Sequence, residues 1–182
     1  NIGAALSLLD EPPFRFLTKA GRSTDVADGR AKLEAVLDFP LKPKLKTEEL
    51  SFLVTGELTD VRSDRLVPGR ELRADRLTLR ATPAGMEIGG RGTLSGNPFD
   101  ATWPQRFGPE HAGKSRVVGA VELSPGFLEA FNIALPKGMV SGRGEGLIRL
   151  DLAKGAPTRF RLTSDLSGLA LKIAGIGWSK GA

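Results

Sequence analysis

The sequence predicts an all-β protein: a curved antiparallel sheet, a β-groove or partial barrel, with two short capping helices. Three observations carry that expectation. In Gly142–Leu152 the residues Gly144, Gly146, Ile148, Leu150 and Leu152 alternate with Arg143, Glu145, Arg149 and Asp151. A period of two is what a strand with one apolar and one wet face requires. A near-copy lies 113 residues earlier, where Ala31, Leu33, Ala35, Leu37 and Phe39 take the apolar positions and Arg30 and Asp38 match Arg143 and Asp151. The 23 Gly and 12 Pro punctuate short strands rather than long helices.

In chain order, Ile2–Leu9 reads as a strand. Asp10 then stands as a helix N-cap before Pro12 and Pro13, with Phe14, Leu17 and Ala20 inward and Gly21 as the stop. The same grammar returns in the second half: strand Val117–Leu123, Ser124 as N-cap, Pro125, then a helical turn through Phe127, Leu128 and Phe131. The internal repeat therefore spans roughly 1–41 and 117–154 of a single β-rich module.

Between the repeats, Phe52, Val54 and Leu58 mark a strand, and Arg62–Arg70 a polar loop bearing Pro68 and Gly69. A meander follows. Leu77, Leu79 and Ala81 lead to a turn at Thr82–Gly85; Met86, Ile88, Gly90, Gly92 and Leu94 lead to a turn at Ser95–Pro98. Phe99, Ala101 and Trp103 complete it. Arg106–Ser115 reads as a loop. Thr158–Leu166, Leu169–Ile173 and Gly177–Lys180 close the chain. Glycines on the apolar face, such as Gly90, Gly92, Gly144 and Gly146, permit sharp curvature or close approach. Such a face is buried by a second layer or left as an open trough that calls for a ligand or partner.

Composition excludes several chemistries. There is no Cys, so no disulfide or thiol nucleophile is available, and the single His111 rules out sites needing two histidines. A net charge of +5 raises the question of anionic partners. The basic residues are interspersed with acidic ones, and the densest basic run is only Lys42–Lys46. A solvated surface is the plain reading; an anionic membrane or lipid headgroup is the other. Basic residues interleaved with exposed aromatics occur only near Trp103, Arg106 and Phe107, so no nucleic-acid partner is expected. Trp103 and Trp178 read as core residues at sheet ends. The longest apolar run, Ile2–Leu9, is far short of the about 20 residues that span a bilayer. Asn1 is not an initiator Met, and the expectation is a processed chain or excised fragment whose signal or anchor lies outside it.

One formal motif stands out. Gly108–Ser115 matches G-x-x-x-x-G-K-[ST], in which amides cradle phosphates, Lys114 neutralises them and Ser115 binds magnesium. That chemistry needs a helix directly after the Lys-Ser pair. Here the alternating Arg116–Leu123 follows, so the expectation is a polar loop between strands, with nucleotide binding a remote alternative. His111 in it reads as solvated. Carboxylates such as Asp60 and Asp64 are scattered, and no catalytic residue, cofactor or metal is expected.

The order of motifs resembles the AsmA-like family, the YhdP- and TamB-type envelope proteins of Gram-negative bacteria. The resembling stretches are Leu8–Phe14, Ala27–Leu33, Phe39–Leu41, Leu77–Leu79, Met86–Pro98 ending in Trp103, and Ser164–Leu171. Together they cover most of the chain. The resemblance implies a periplasmic repeat protein, anchored in the inner membrane, whose hydrophobic groove moves phospholipid and supports outer-membrane lipid homeostasis. It implies no enzyme. Its partners are phospholipid acyl chains, adjacent modules of the same protein and the inner membrane through an anchor outside this chain. The apolar face then becomes a lipid-lining surface, with Leu33, Leu37, Phe39, Phe52, Val54, Leu77, Leu79, Met86, Ile88, Leu94, Ile148, Leu150, Leu152, Phe160 and Leu162 as its candidates. The alternative is a structural or scaffold envelope domain with a closed core and no lipid.

Overall fold

The computed structural model describes residues 1–11, 23–38, 40, 51–67, 69–136, 138–153 and 155–182. Helix α1 (Ile2–Leu9) precedes strands β1 (Asp28–Asp38), β2 (Ser51–Val67), β3 (Arg70–Thr82), β4 (Gly85–Leu94), β5 (Asn97–Arg106) and β6 (Lys114–Leu123). Helix α2 (Pro125–Ala130) is followed by β7 (Val140–Gly142), β8 (Gly144–Ala153), β9 (Arg159–Thr163), β10 (Leu169–Ile173) and β11 (Trp178–Lys180). One antiparallel sheet of eight strands runs β1-β2-β3-β4-β5-β6-β8-β9, and a three-stranded sheet runs β11-β10-β7. The large sheet is open, with β1 and β9 as its edges. The all-β antiparallel sheet with two short helices is therefore present.

Hairpin turns set the register. Ser95 (φ 50°) and Gly96 (φ 80°) form the two-residue link between β4 and β5. Positive φ at both positions matches the twist of the flanking strands. Pro83 and Ala84 form the two-residue link between β3 and β4, without positive φ at either position. An irregularity crosses the first strands: the β1–β2 register slips between Asp28 and Arg30 and the β3–β4 register between Arg73 and Arg76. Asp60, at φ 54°, sits at this slip. Extra residues of this kind bend a sheet and strengthen its twist.

Several expectations are corrected. Ile2–Leu9 is a helix, not a strand. Its Ile2 and Leu6 are spaced by four, are both buried and pack with Leu58, Val61 and Ala74. Ala and Leu are strong helix formers, and tertiary packing on this one stripe selects the 3.6-residue period. The Asp10 amide donates to the carbonyls of Leu6 and Ser7, closing α1. The helix expected over Pro12–Gly21 lies outside the described residues, as do Lys42–Lys46. The strand–helix–loop–strand order of the first repeat unit is thus not met at its opening strand.

Arg62–Arg70 is not a loop either. β2 continues to Val67, β3 begins at Arg70, and the turn is confined to the residues around Gly69 (φ 71°). Ser63 is buried, donates to the Val26 carbonyl at 2.6 Å and accepts from the amides of Arg65 and Leu66. Arg65 pairs with Asp25 and donates to its carbonyl at 3.1 Å. Those bonds tie the far end of β2 to the segment leading into β1. The pairing with Asp25 raises the pKa of Arg65 above its ordinary value.

The stretch Gly142–Leu152 is broken rather than continuous. Gly142 (φ 84°) ends β7, the Arg143 amide donates to the Gly168 carbonyl at 3.0 Å, and β8 starts at Gly144. A Cβ on Gly142 would lie 2.3 Å from that carbonyl oxygen, so only glycine fits the corner. The chain here steps from the small sheet to the large one. β10 accordingly pairs with β7 on one side and β11 on the other instead of extending the large sheet. Helix α2 forms as expected. Ser124 Oγ accepts from the Phe127 amide at 3.2 Å, Pro125 opens the first turn, and Phe127 is 2% exposed against Val121, Leu123 and Leu169.

Candidate functional site: an apolar sheet face

Alternation in eight paired strands aligns the apolar residues into rows. One row is complete: Ala31, Leu58, Leu77, Gly90, Ala101, Gly119, Ile148 and Leu162 face their neighbours in turn from β1 to β9. The next row runs Leu33, Gly56, Leu79, Ile88 and Trp103, then resumes as Val117, Leu150 and Phe160. Ala35, Val54, Ala81 and Met86 start a third, to which Leu152 belongs on β8; Leu37 opposes Phe52 in a fourth. Leu94 lies beyond the bend, opposite Leu72. Every described candidate therefore falls on this face. Phe39 lies outside the described residues. Ala101, Trp103, Val117 and Gly119 complete the rows, though they were not among the candidates. Their own strands alternate, and that was the available signal.

The glycines let side chains lie across neighbouring strands. A Cβ on Gly146 would stand 2.7 Å from Leu162 Cδ1 and 3.0 Å from Leu123. A Cβ on Gly92 would stand 2.8 Å from the Phe99 ring. The expected close approach is thus real at both positions.

Burial divides the face. At β2–β4, Phe52, Val54, Leu79, Ala81 and Met86 form a buried cluster with Leu33, Ile88, Trp103 and Phe107 packed against it. α1 covers Leu58, Val61 and Ala74 beside the bend, while α2 and β10 cover Val121 and Leu123. Toward the outer edges the face opens. Leu162 is 36% exposed, Phe160 50% and Leu37 54%.

A seam interrupts the sheet between β5 and β6. Their ladder holds only the four pairs from Phe99 with Val121 to Thr102 with Val118. Beyond it, side chains bridge the strands. Trp103 Nε1 donates to Ser115 Oγ, and Gln105 Nε2 donates to the Lys114 carbonyl at 3.0 Å. Gln105 is one of the few buried polar residues, and these bonds satisfy its amide.

The loop Phe107–Gly113 carries a 3₁₀ turn at Pro109–His111, and Lys114 and Ser115 already belong to β6. No helix follows them, so the helix N-terminus that a phosphate cradle requires is missing. Lys114 Nζ donates to the Glu110 carbonyl at 3.2 Å. His111 Nε2 lies 3.2 Å from Glu110 Oε1 at the surface.

The opposite face is charged. Arg30 pairs with Asp60, Arg76 with Glu57 at 3.6 Å and Arg91 with Asp100 at 3.0 Å, all well exposed. Such pairs add little stability and keep the face wet. Hydrogen bonds from Arg116 and Arg149 hold the Asp151 carboxyl below the usual carboxylate range. Among the described residues, no helix is long and apolar enough to cross a membrane. The site and fold together define a class: an open antiparallel β-sheet with one continuous apolar face capped by two helices. Comparison with family models, with characterised proteins and with solved structures finds no match to this chain.

Proposed function

We propose that this chain is a non-enzymatic groove module that holds phospholipid acyl chains along its apolar sheet face. In this reading it belongs to a periplasmic, inner-membrane-anchored protein of the AsmA-like kind, and adjacent modules continue its groove. The observation that carries the reading is the complete eight-strand apolar row, whose outer end at Leu162 is left exposed, as is Phe160 in the row beside it. Apolar burial is worth roughly 25 cal/mol per Å² and is non-directional, so such a face retains acyl chains without selecting one headgroup. The buried cluster around Phe52, Val54 and Met86 favours a second reading, a scaffold domain whose core is its own.

Two measurements separate the readings. Mass spectrometry of the purified chain is expected to find bound phospholipid. A photoreactive amino acid at Leu150 is expected to crosslink to lipid. Lipid-free protein with crosslinks only to its own chain would leave the scaffold reading.

A further inference from the structure

The charged face is not uniform, and its β6–β8–β9 part has a composition that solvation alone does not call for. On β6 and β8, Arg116 opposes Asp151 and Val118 opposes Arg149; on β8 and β9, Asp151 opposes Arg159 and Arg149 opposes Arg161. Four arginines therefore stand on neighbouring positions of these strands beside the single carboxylate of Asp151. Arg116 and Arg149 both bond it, at 2.6 Å and 2.9 Å, while Arg159 and Arg161 have no carboxylate partner among the described residues. Like charges directly opposite each other, as Arg149 and Arg161 are, destabilise a strand pair unless an anion or water screens them. On β2–β4 arginines also face each other, Arg62 with Arg73 and Arg76 with Arg91, but there Arg73, Arg76 and Arg91 each have an acidic partner.

The same patch exposes aliphatic side chains on what is otherwise the wet face. Leu147, one row from Arg149, is 58% exposed, and Val118 is 37% exposed. With strands about 4.8 Å apart and alternate residues about 7 Å apart, the arginines and these aliphatics share one small area. Past Leu147 the next row turns acidic, with Glu122 opposite Glu145. Glu122 is partnered by Arg143 at 3.5 Å, which sets the boundary of the basic area.

We propose that this patch docks the protein on the surface of an anionic phospholipid bilayer. The guanidinium groups of Arg116, Arg149, Arg159 and Arg161 take headgroup phosphates, and Leu147 and Val118 enter the headgroup–acyl boundary. Guanidinium matches phosphate oxygens in pairs, and basic residues flanking exposed aliphatics suit a plane of negative charge over an apolar layer. The proposal uses the face opposite the groove and does not depend on acyl chains lying there.

The test is flotation of the 182-residue chain with vesicles. Phosphatidylcholine alone is compared with phosphatidylcholine carrying about 30% phosphatidylglycerol, at about 50 mM and about 500 mM salt. Binding is expected only to the anionic vesicles at low salt. Arg149→Gln combined with Arg161→Gln is expected to lower partitioning by about thirtyfold, because two phosphate contacts are lost. Arg30→Gln with Arg76→Gln, which touches only paired arginines, is expected to retain it; circular dichroism checks that both variants fold. The chain has no Cys, so Leu147→Cys carries a single environment-sensitive dye, expected to shift blue on the anionic vesicles. Equal binding to neutral vesicles, no binding to either, or an unshifted dye overturns the proposal. So does tighter binding to polyglutamate than to vesicles, which would assign the patch to an acidic protein.

Discussion

Arg116 Nε on β6 donates to Asp151 Oδ1 on β8 at 2.6 Å, directly across a strand pair. Arg149 Nε takes the other oxygen at 2.9 Å, and together they depress the Asp151 pKa. A carboxyl with a depressed folded-state pKa contributes stability above its unfolded pKa, about 3.9, and loses it as pH falls through the lower folded value. Asp151→Asn is therefore expected to lower Tm at neutral pH, with the difference from wild type shrinking below about pH 4. Thermal unfolding of both proteins across an acid series measures this. A difference unchanged down to pH 2 would count against the assignment.

Leu6 ties the first helix to the sheet. It is buried with Leu58, Val61 and Ala74, so Leu6→Ala is expected to cost about 2–4 kcal/mol in chemical denaturation. Ser7 is exposed on the same helix, and Ser7→Ala is expected to stay within about 0.5 kcal/mol. Equal, small effects at both positions would mean that α1 is not docked.

At the second helix, cap and anchor should separate. Ser124→Ala removes the acceptor for the Phe127 amide and is expected to cost about 1 kcal/mol. Phe127→Ala empties the most buried side chain of its cluster and is expected to cost about 3–5 kcal/mol. The same denaturation measurement reads both, and a reversed order would refute the packing described for α2.

Gly119 on β6 has no room for a side chain. A Cβ there would lie 2.4 Å from the Asp100 carbonyl oxygen and 2.5 Å from the Ala101 Cα, both backbone atoms on β5. Gly119→Ala is expected to destabilise by about 1–3 kcal/mol and to speed amide exchange in Phe99–Thr102. Gly146→Ala meets mainly the flexible tip of Leu162 and should cost less.

Much of the fold was legible because period-two alternation is a local signal, and in β1, β4, β6 and β8 nothing overrides it. The same logic placed Leu33, Leu77, Ile148 and Leu162 on one face. Ile2–Leu9 misled because a short apolar run lacks a decisive period, and only the docking of Ile2 and Leu6 on Leu58 settles it. Arg62–Val67 misled because both sides of that strand carry charge, while its hydrogen bonds run to Val26 and Asp25, some 40 residues away. The break at Gly142 is set by the distant Gly168. The depth of burial along the face was likewise unreadable, since Phe52 and Phe160 look alike in sequence and differ only in what the rest of the chain lays over them.

The four-pair ladder joining β5 to β6 gives the sheet a line of weakness parallel to its strands. On one side lie the five strands that carry the buried cluster; on the other lie β6, β8 and β9 with the exposed phenylalanine. Two side-chain bonds, from Trp103 and Gln105, close the splayed end where amides and carbonyls would otherwise have done so. Beyond the ladder, the join between the two leaves of the sheet thus rests on the side chains of a tryptophan and a glutamine.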